Sequence, residues 1–362
     1  MASECKRAGS RLDGGVPGVP GRGLSVGYAR RVMRLPELAT GAPVSVVMPV
    51  LNEEAHLAAA CRSVLDNGYD GEVELVIALG PSADATDTIA RGLAADPRVR
   101  LVPNPSGSTP TGLNAAIAAS GHDVIVRVDG HTQLPTGYLA TAVDALARTG
   151  AGNVGGRMVP MASAPFAGAV AIGMSSRWGI GGAGHRVGGR EGDADSVFLG
   201  SFRRAALDAV GGFDEHFRRA QDWELNYRLR RAGYRVYFVP AMRVPYSPRS
   251  SVRALWTQFH DSGRWRREVV HTHPDSLNLR YLAAPLAVFA NASGLVVGGV
   301  LLGVGSPLAA WALAVPVAYL AGVLVASGTH VRGLAPAVAA RLPLVLITMH
   351  MAWGSGFVRG VR

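Results

Sequence analysis

Lysine is almost missing from this chain of 362 residues: Lys6 is the only one, so arginine carries nearly all of the net charge of +10. An arginine-rich surface suits nucleic acid, anionic lipid or a nucleotide diphosphate. No segment interleaves basic and aromatic residues in the way that stacks bases, which removes nucleic acid from the expected partners. Cysteine is scarce too. Cys5 and Cys61 supply neither a disulfide framework nor a cysteine metal cluster, which points to a reducing compartment for the globular part. Residues 1–41 are rich in Gly, Pro and Arg and lack a continuous apolar core, so they do not read as a secretory signal. They are expected to form a disordered basic lead placed to touch lipid headgroups.

Acidic residues stop at Asp275. The mean hydropathy of +0.19 and the 48% hydrophobic content are high for a soluble protein, and the excess lies mainly beyond Tyr281. Two apolar segments, 282–302 and 307–326, are each near the length of a bilayer span. A third, 334–357, is interrupted by Arg341, Pro343 and His350, residues that are costly against lipid; it reads as a third span or as an in-plane helix. With the globular part cytoplasmic, two spans return the chain inside near His330 and Arg332, as the positive-inside rule prefers. A third span would place Arg359 and Arg362 outside. The expectation is a multi-pass protein of the cell membrane, with residues 271–362 as its membrane region.

From Val44 onward apolar runs alternate with amphipathic helices. Strands are expected over 44–50, 72–79, 99–102 and 124–128, with a helix over 112–119 between the last two. Asn52 reads as a helix cap with Glu53 and Glu54 in the first turn, and Asp84 as the cap of the helix through Ile89 and Leu93. This alternation implies right-handed crossovers and a mostly parallel sheet. Ligands bind such sheets beyond the carboxyl ends of the strands, where Asn52, Ser82 and Asp129 fall. The second half is less regular, with strands over 152–158, 196–202 and 234–239 and helices over 164–174 and 223–232. The stretch 179–192 carries seven glycines with His185, Arg186, Arg190 and Glu191; it reads as a surface loop or as a lid. Residues 250–267 form an amphipathic pattern, with Trp256, Phe259 and Trp265 among arginines. That suits a helix in the membrane interface or ordinary packing.

The run Asp123-Val-Ile-Val-Arg-Val-Asp129-Gly-His131 sends an apolar strand into an acid and an imidazole two residues apart. It is either a strand followed by a polar turn or a divalent-cation site. Around it stand, in order, Met48-Pro-Val-Leu-Asn-Glu53, Gly80-Pro-Ser82-Ala-Asp84-Ala-Thr86, Gly112-Leu-Asn114, Gly211-Gly-Phe-Asp-Glu215 and Gln221-Asp222-Trp-Glu224. This succession resembles family 2 glycosyltransferases over about residues 44–265, and more narrowly the branch acting in succinoglycan-type exopolysaccharide assembly.

The resemblance implies an α/β, Rossmann-like domain of the GT-A type over residues 42–270, followed by the transmembrane helices, and an inverting sugar transfer from a nucleoside diphosphate sugar. It implies that Pro49, Asn52 and Glu53 line the nucleotide pocket, with Ser82 and Asp84 on a second wall and Asn114 and Arg127 also in the donor site. Asp129 would meet ribose or metal, His131 would be the second metal ligand, and Asp222 the catalytic base. Sugar transfer needs the charge of the departing diphosphate neutralised, which a cation with open coordination positions achieves. It also needs a carboxylate to take the acceptor's proton; the other reading of Asp222 is a helix N-cap.

Three departures from the family pattern matter. Leu79-Gly80 stand where many members have paired aspartates that contact the base, Gln221 replaces the acid before Asp222, and His131 replaces the second aspartate of the metal motif. An imidazole suits manganese better than magnesium, so a manganese preference is expected. The literal Asp193-Ala-Asp195 follows the glycine-rich loop, and Asp195 is assigned to the acceptor side. Arg264-Trp265 resembles the pair of processive members, but Asp261 argues against processive polymerisation; Arg264 is left as a phosphate contact. The expected partners are a nucleoside diphosphate sugar, a lipid-linked or glycan acceptor and membrane lipids. A polyprenyl-phosphate sugar synthase and a silent membrane scaffold are the alternatives.

Overall fold

The computed structural model describes residues 33–162, 164–180 and 189–361. The first half alternates strand and helix: β1 (Val44–Val50), α1 (Leu57–Leu65), β2 (Val73–Leu79), α2 (Thr86–Leu93), β3 (Val99–Pro103), α3 (Thr109–Ala119), β4 (Val124–Arg127) and α4 (Tyr138–Thr149). There follow β5 (Asn153–Pro160), α5 (Pro165–Ser175), α6 (Arg177–Ile180), β6 (Gly192–Asp193), β7 (Phe198–Arg203), α7 (Arg204–Val210), α8 (Gln221–Arg231) and β8 (Val236–Tyr246). One sheet holds all eight strands in the order β3-β2-β1-β4-β7-β5-β8-β6. The pairs β1–β2, β1–β4, β2–β3 and β5–β8 are parallel, whereas β7 runs antiparallel to both β4 and β5.

The strand period of two divides the side chains of β1 between two cores. Val44, Val46 and Met48 join Leu57, Cys61, Leu75, Leu139 and Leu146 beneath α1 and α4. Val47 joins Leu113, Ile117, Phe202, Leu207 and Leu225 beneath α3, α7 and α8. Covered on both faces, β1 is apolar except for Ser45, whose hydroxyl donates to Glu74 Oε1. Pro49 is tolerated in this central strand for a local reason. Val47 faces β4, accepting from Val128 N, so Pro49 faces the same side, but the β4 pairing stops at Val47↔Arg127. The missing N–H therefore breaks no rung of the ladder.

Residues 1–32 of the expected basic lead lie outside the described residues, as do 181–188 of the glycine-rich stretch with His185 and Arg186. Residues 33–41 depart from expectation by docking on the domain. Met33 N donates to Gly233 O, Arg203 donates to Pro36 O, and Leu35 and Leu38 pack against the two cores.

Beyond the sheet come α9 (Val252–Thr272), α10 (Ala283–Gly303), α11 (Ala309–Gly328), α12 (Pro336–Ala339) and α13 (Leu342–Arg359). Three helical stretches, Leu279–Gly303, Ala309–Gly328 and Pro336–Arg359, are long and apolar enough to cross a membrane. The polar interruptions of the third are partnered inside the protein. His350 meets Trp178 O at 2.6 Å and the Tyr319 hydroxyl at 3.1 Å, and Arg341 donates to Ala337 O. The amphipathic α9 packs one face on α13 and α5, where Leu255, Phe259, Val345, Met349 and Val170 are buried together, and leaves Trp256 exposed. Glycine sets the approach of α9 and α13: a Cβ on Gly263 would stand 2.1 Å from Trp353 O, and one on Gly356 2.0 Å from His260 O.

Candidate active site

The order β2-β1-β4 with parallel pairing places a topological switch at β1, and the expected site residues gather beyond the carboxyl ends of these strands. Asn52 does not cap α1, which starts at Leu57, nor do Glu53 and Glu54 lie in its first turn. Instead Asn52 takes a left-handed conformation (φ 57°), which asparagine tolerates, and stitches two loops together. Its backbone N–H donates to Ser82 Oγ, and its Oδ1 accepts from Ala83 N at 2.8 Å. Glu53 N donates to Thr86 Oγ1, Glu54 N to Asp84 Oδ2, and Ala85 N to Glu54 Oε2. Asp84 also accepts from Thr86 N at the start of α2, as a cap would. The hydrogen bond from the Thr86 hydroxyl holds its carboxyl below the ordinary range. Ser82 and Asp84 thus fix the loops after β1 and β2 to each other.

The centre of the site is Arg127, nearly buried at the end of β4. Its Nε and Nη2 donate to Asp129 Oδ1 at 3.1 and 2.9 Å, and its Nη1 donates to Asp222 Oδ1. Burial alone would lower the guanidinium pKa, but the two carboxylates raise it well above the usual value. Burial and the charge of Asp129 push the Asp222 carboxyl above its ordinary range, against the pull of Arg127. Asp222 stands in the first turn of α8, where Ala220 adopts φ 61°. Positive φ on alanine costs of order 1 kcal/mol and is the kind of local strain found at functional sites. It turns Asp222 toward β4, so this residue pairs across the sheet end and makes no side-chain cap.

Gly130 is demanded by crowding, since a Cβ there would lie 2.9 Å from Val50 Cγ1 and 3.1 Å from Glu53 Cγ. That close approach brings His131 onto Glu53, with Nδ1 2.8 Å from Oε1. The Glu53 hydrogen bond raises the imidazole pKa. With Nδ1–H given to the carboxylate, Nε2 keeps its lone pair, the orientation that metal-ligating histidines adopt. Among the described residues His131 Nε2 and Asp129 Oδ2 have no hydrogen-bond partner, and no group of three or more His, Cys, Asp or Glu could hold a metal. An imidazole nitrogen with one carboxylate oxygen fits a divalent cation whose other positions fall to diphosphate oxygens and water.

Other expected residues serve neighbouring structure. Asn114 is fully engaged by the 211–215 turn: its amide donates to Phe213 O and Glu215 Oε1, and its Oδ1 accepts from Phe213 N. Pro49 packs on the N-terminal turn of α3 near Gly112. Arg264 binds the C-terminal end of α13, with Nε donating to Gly360 O at 2.9 Å, so it is not placed for a phosphate. Trp265 packs edge-on to His216, 5.9 Å away, and against Phe217, bracing the loop that leads into α8. Asp193 pairs with Arg235, and Asp195 with Arg230 and Arg280, so Asp193-Ala-Asp195 is spent on ion pairs. The Arg127–Asp222 bond joins residues 95 positions apart and carried no local signal in the sequence.

Two recesses flank the sheet. One of about 850 Å³, lined by Asp66, Glu72, Arg98 and His122, opens at the amino-terminal ends of β2 and β3, the wrong end for this topology. The other, about 450 Å³, is lined by Leu79, Gly80, Asp87, Arg91 and Asn104 at the carboxyl ends of the same strands. Asp87 Oδ1 is buried without a partner among the described residues.

Residues 45–188 match the family described as glycosyl transferase family 2, and residues 124–325 match glycosyl transferase family group 2. The succinoglycan biosynthesis protein ExoA of Rhizobium meliloti (strain 1021) is 35% identical over 318 residues, covering 87% of this chain and 93% of the relative. The mannosyltransferase PcManGT from Pyrobaculum calidifontis, solved with GDP-Man and Mn2+, aligns over 89% of both chains with a TM-score of 0.55 and 17% identity, a likeness of fold. With a mostly parallel GT-A-type sheet, the ordered motifs at its carboxyl edge and this shared sequence, the chain belongs to glycosyltransferase family 2.

Proposed function

We propose that this transferase moves a single sugar, with inversion, from a nucleoside diphosphate sugar to a hydroxyl of a lipid-linked or envelope glycan. The work is done at the cytoplasmic face of the cell membrane, in exopolysaccharide assembly. The observation that carries this reading is the buried Arg127 bridge, which holds a metal-end carboxylate, Asp129, and the candidate base, Asp222, on one guanidinium. The three apolar helices suit an acceptor that stays in the bilayer, and the relationship to a succinoglycan biosynthesis protein supports the exopolysaccharide role.

Asp129 Oδ2 and His131 Nε2 would hold a divalent cation, manganese in preference to magnesium, which when bound neutralises the charge of the departing diphosphate. Glu53 orients the imidazole. Arg127 occupies Oδ1 of Asp222 and leaves Oδ2 to take the proton of the attacking hydroxyl. Asp87, which lines the smaller recess, would stand in for the carboxylates absent at Leu79-Gly80. The test is nucleoside diphosphate release from a panel of nucleotide sugars, with and without Mn²⁺. Release that requires the cation and disappears in Asp129→Ala is expected; no release from any donor, or release indifferent to both, counts against the reading.

A further inference from the structure

Next to the candidate base, but on the side of the apolar helices, lies a group of cations that the donor chemistry does not use. Arg266 is sandwiched between two aromatic rings, its guanidinium carbon 4.0 Å from the Trp223 centroid and 4.8 Å from that of Tyr281. Its Nη1 is buried and has no hydrogen-bond partner among the described residues. Arg280 lies 5.1 Å from the same Tyr281 ring and donates to its hydroxyl. Asp195 joins Arg280 to Arg230, at 4.0 and 3.2 Å. Arg230 and Arg280 thus share one carboxylate beside Arg266, and the adjacent Arg231 and Asp275 neutralise each other. The cluster is open to solvent on one side, for the Arg280 and Asp195 side chains keep 38% and 64% of their surface.

Position says what such a cluster can receive. Tyr281 belongs to the turn Leu279–Leu282 that leads directly into α10, and Leu277 and Leu279 stand exposed beside it. Its ring is 6.3 Å from Trp353 of α13, so aromatic side chains from two apolar stretches meet at the level where a bilayer's headgroups would lie. Trp223 follows Asp222 on α8, so an anion held on Arg266 and Arg280 would lie beside the helix that carries the candidate base and at the start of α10. Arginine forks are the preferred partners of phosphate oxygens, and aromatic stacking keeps the Arg266 guanidinium plane fixed while its Nη1 has no hydrogen-bond partner among the described residues.

We infer that Arg266 and Arg280, with Arg230 behind them, form a second phosphate site that seats the diphosphate of a lipid-linked acceptor, so that the attached sugar faces Asp222 and the lipid leaves along α10. This deepens the glycosyl-transfer reading above and rests on it. The same phosphate-ester chemistry could reach the site on an anionic phospholipid, and the test separates the two sources.

The full chain, purified in neutral detergent, is titrated with farnesyl diphosphate, with farnesol as the uncharged control, with phosphatidylglycerol as competitor, and separately with UDP and GDP. Farnesyl diphosphate is expected to bind, farnesol not to, and Arg266→Lys and Arg280→Ala each to weaken the diphosphate at least tenfold while nucleotide binding is unchanged. Should Arg266→Lys fail to fold, Arg280→Ala, altered at a half-exposed side chain, carries the test. Unaltered affinity in a folded Arg280→Ala protein overturns the site. Displacement of the diphosphate by phosphatidylglycerol at equal concentration overturns the acceptor assignment and makes this a headgroup contact. Loss of UDP and GDP binding in the unmodified protein would instead strike the donor reading, and leaves the farnesyl diphosphate comparison standing on its own.

Discussion

Arg127 donates to Asp222 across 95 positions of chain while its other nitrogens hold Asp129, so one buried cation sets the spacing of both acids. Removing the buried cation leaves two carboxylates uncompensated, and because their side chains keep 24% and 39% of their surface the cost stays below about 3–5 kcal/mol, the value for a fully buried pair. Arg127→Met should lower the melting temperature markedly and abolish transfer. A double variant, Arg127→Met with Asp222→Asn, should recover part of the stability and none of the activity. Equal melting temperatures for the single variant and the parent would contradict the bridge.

Asp222→Asn should reduce transfer by roughly 10²–10⁴-fold, the range for a lost general base, and leave nucleoside diphosphate binding intact. A general base works only when ionised, and burial raises the Asp222 pKa above the ordinary carboxylate range. The parent kcat/KM should therefore fall as pH drops through that raised value, and the acid limb should vanish in the variant's residual rate. Near-normal rates in Asp222→Asn would exclude a hydroxyl acceptor and favour a phosphate acceptor, which needs no base.

His131→Asp tests the metal preference. Carboxylate is a harder ligand than imidazole, so the ratio of activity with Mn²⁺ to that with Mg²⁺ should fall while the fold is kept, since the side chain is more than half exposed. An unchanged ratio removes His131 from the metal shell.

Cys61 is buried in the core under α1, and burial pushes its thiol up to about 12. Thiolate is the reactive form. Iodoacetamide at pH 8 should leave the Cys61 peptide unmodified in the folded protein and label it fully in guanidinium; rapid labelling without denaturant would contradict the packing described.

Gly263→Leu should separate α9 from α13, because even a Cβ at that position would stand 2.1 Å from a backbone oxygen. Overpacking of this kind costs about 1–3 kcal/mol or more. Transfer should fall with it, since Trp265 and Glu268 on α9 brace the His216–Phe217 segment ahead of Asp222. Protease accessibility of the segment between α7 and α8 reports the loosening.

The strands of the first half could be read from sequence because each is a mainly apolar run between turn residues, broken at most by one polar side chain, and β1 falls where its pattern ends. Asn52 was harder. An asparagine followed by two glutamates looks the same whether it caps a helix or bridges to another loop, and only the position of Ser82 and Ala83 decides. Asp129, His131 and Asp222 stand out as a set only through the family resemblance that their order in the chain carries. The pairing of His131 with Glu53 and of Arg127 with Asp222 depends on the sheet closing, and periodicity carries no trace of contacts made that way. The third apolar stretch was ambiguous for the same reason: what makes His350 tolerable is Tyr319 and Trp178, contributed by other elements.

The contact of α9 with α13 has a practical corollary. Leu255 and Phe259, which precede the apolar region in the chain, are covered by Val345, Met349 and Ala352 near its far end. Cutting the chain at residue 270, or anywhere before α13, would strip that cover and leave a sticky, weakened catalytic half. The route to a well-behaved sample runs through the whole chain in detergent or nanodiscs, and crystallisation trials on a shortened form would start from a damaged surface.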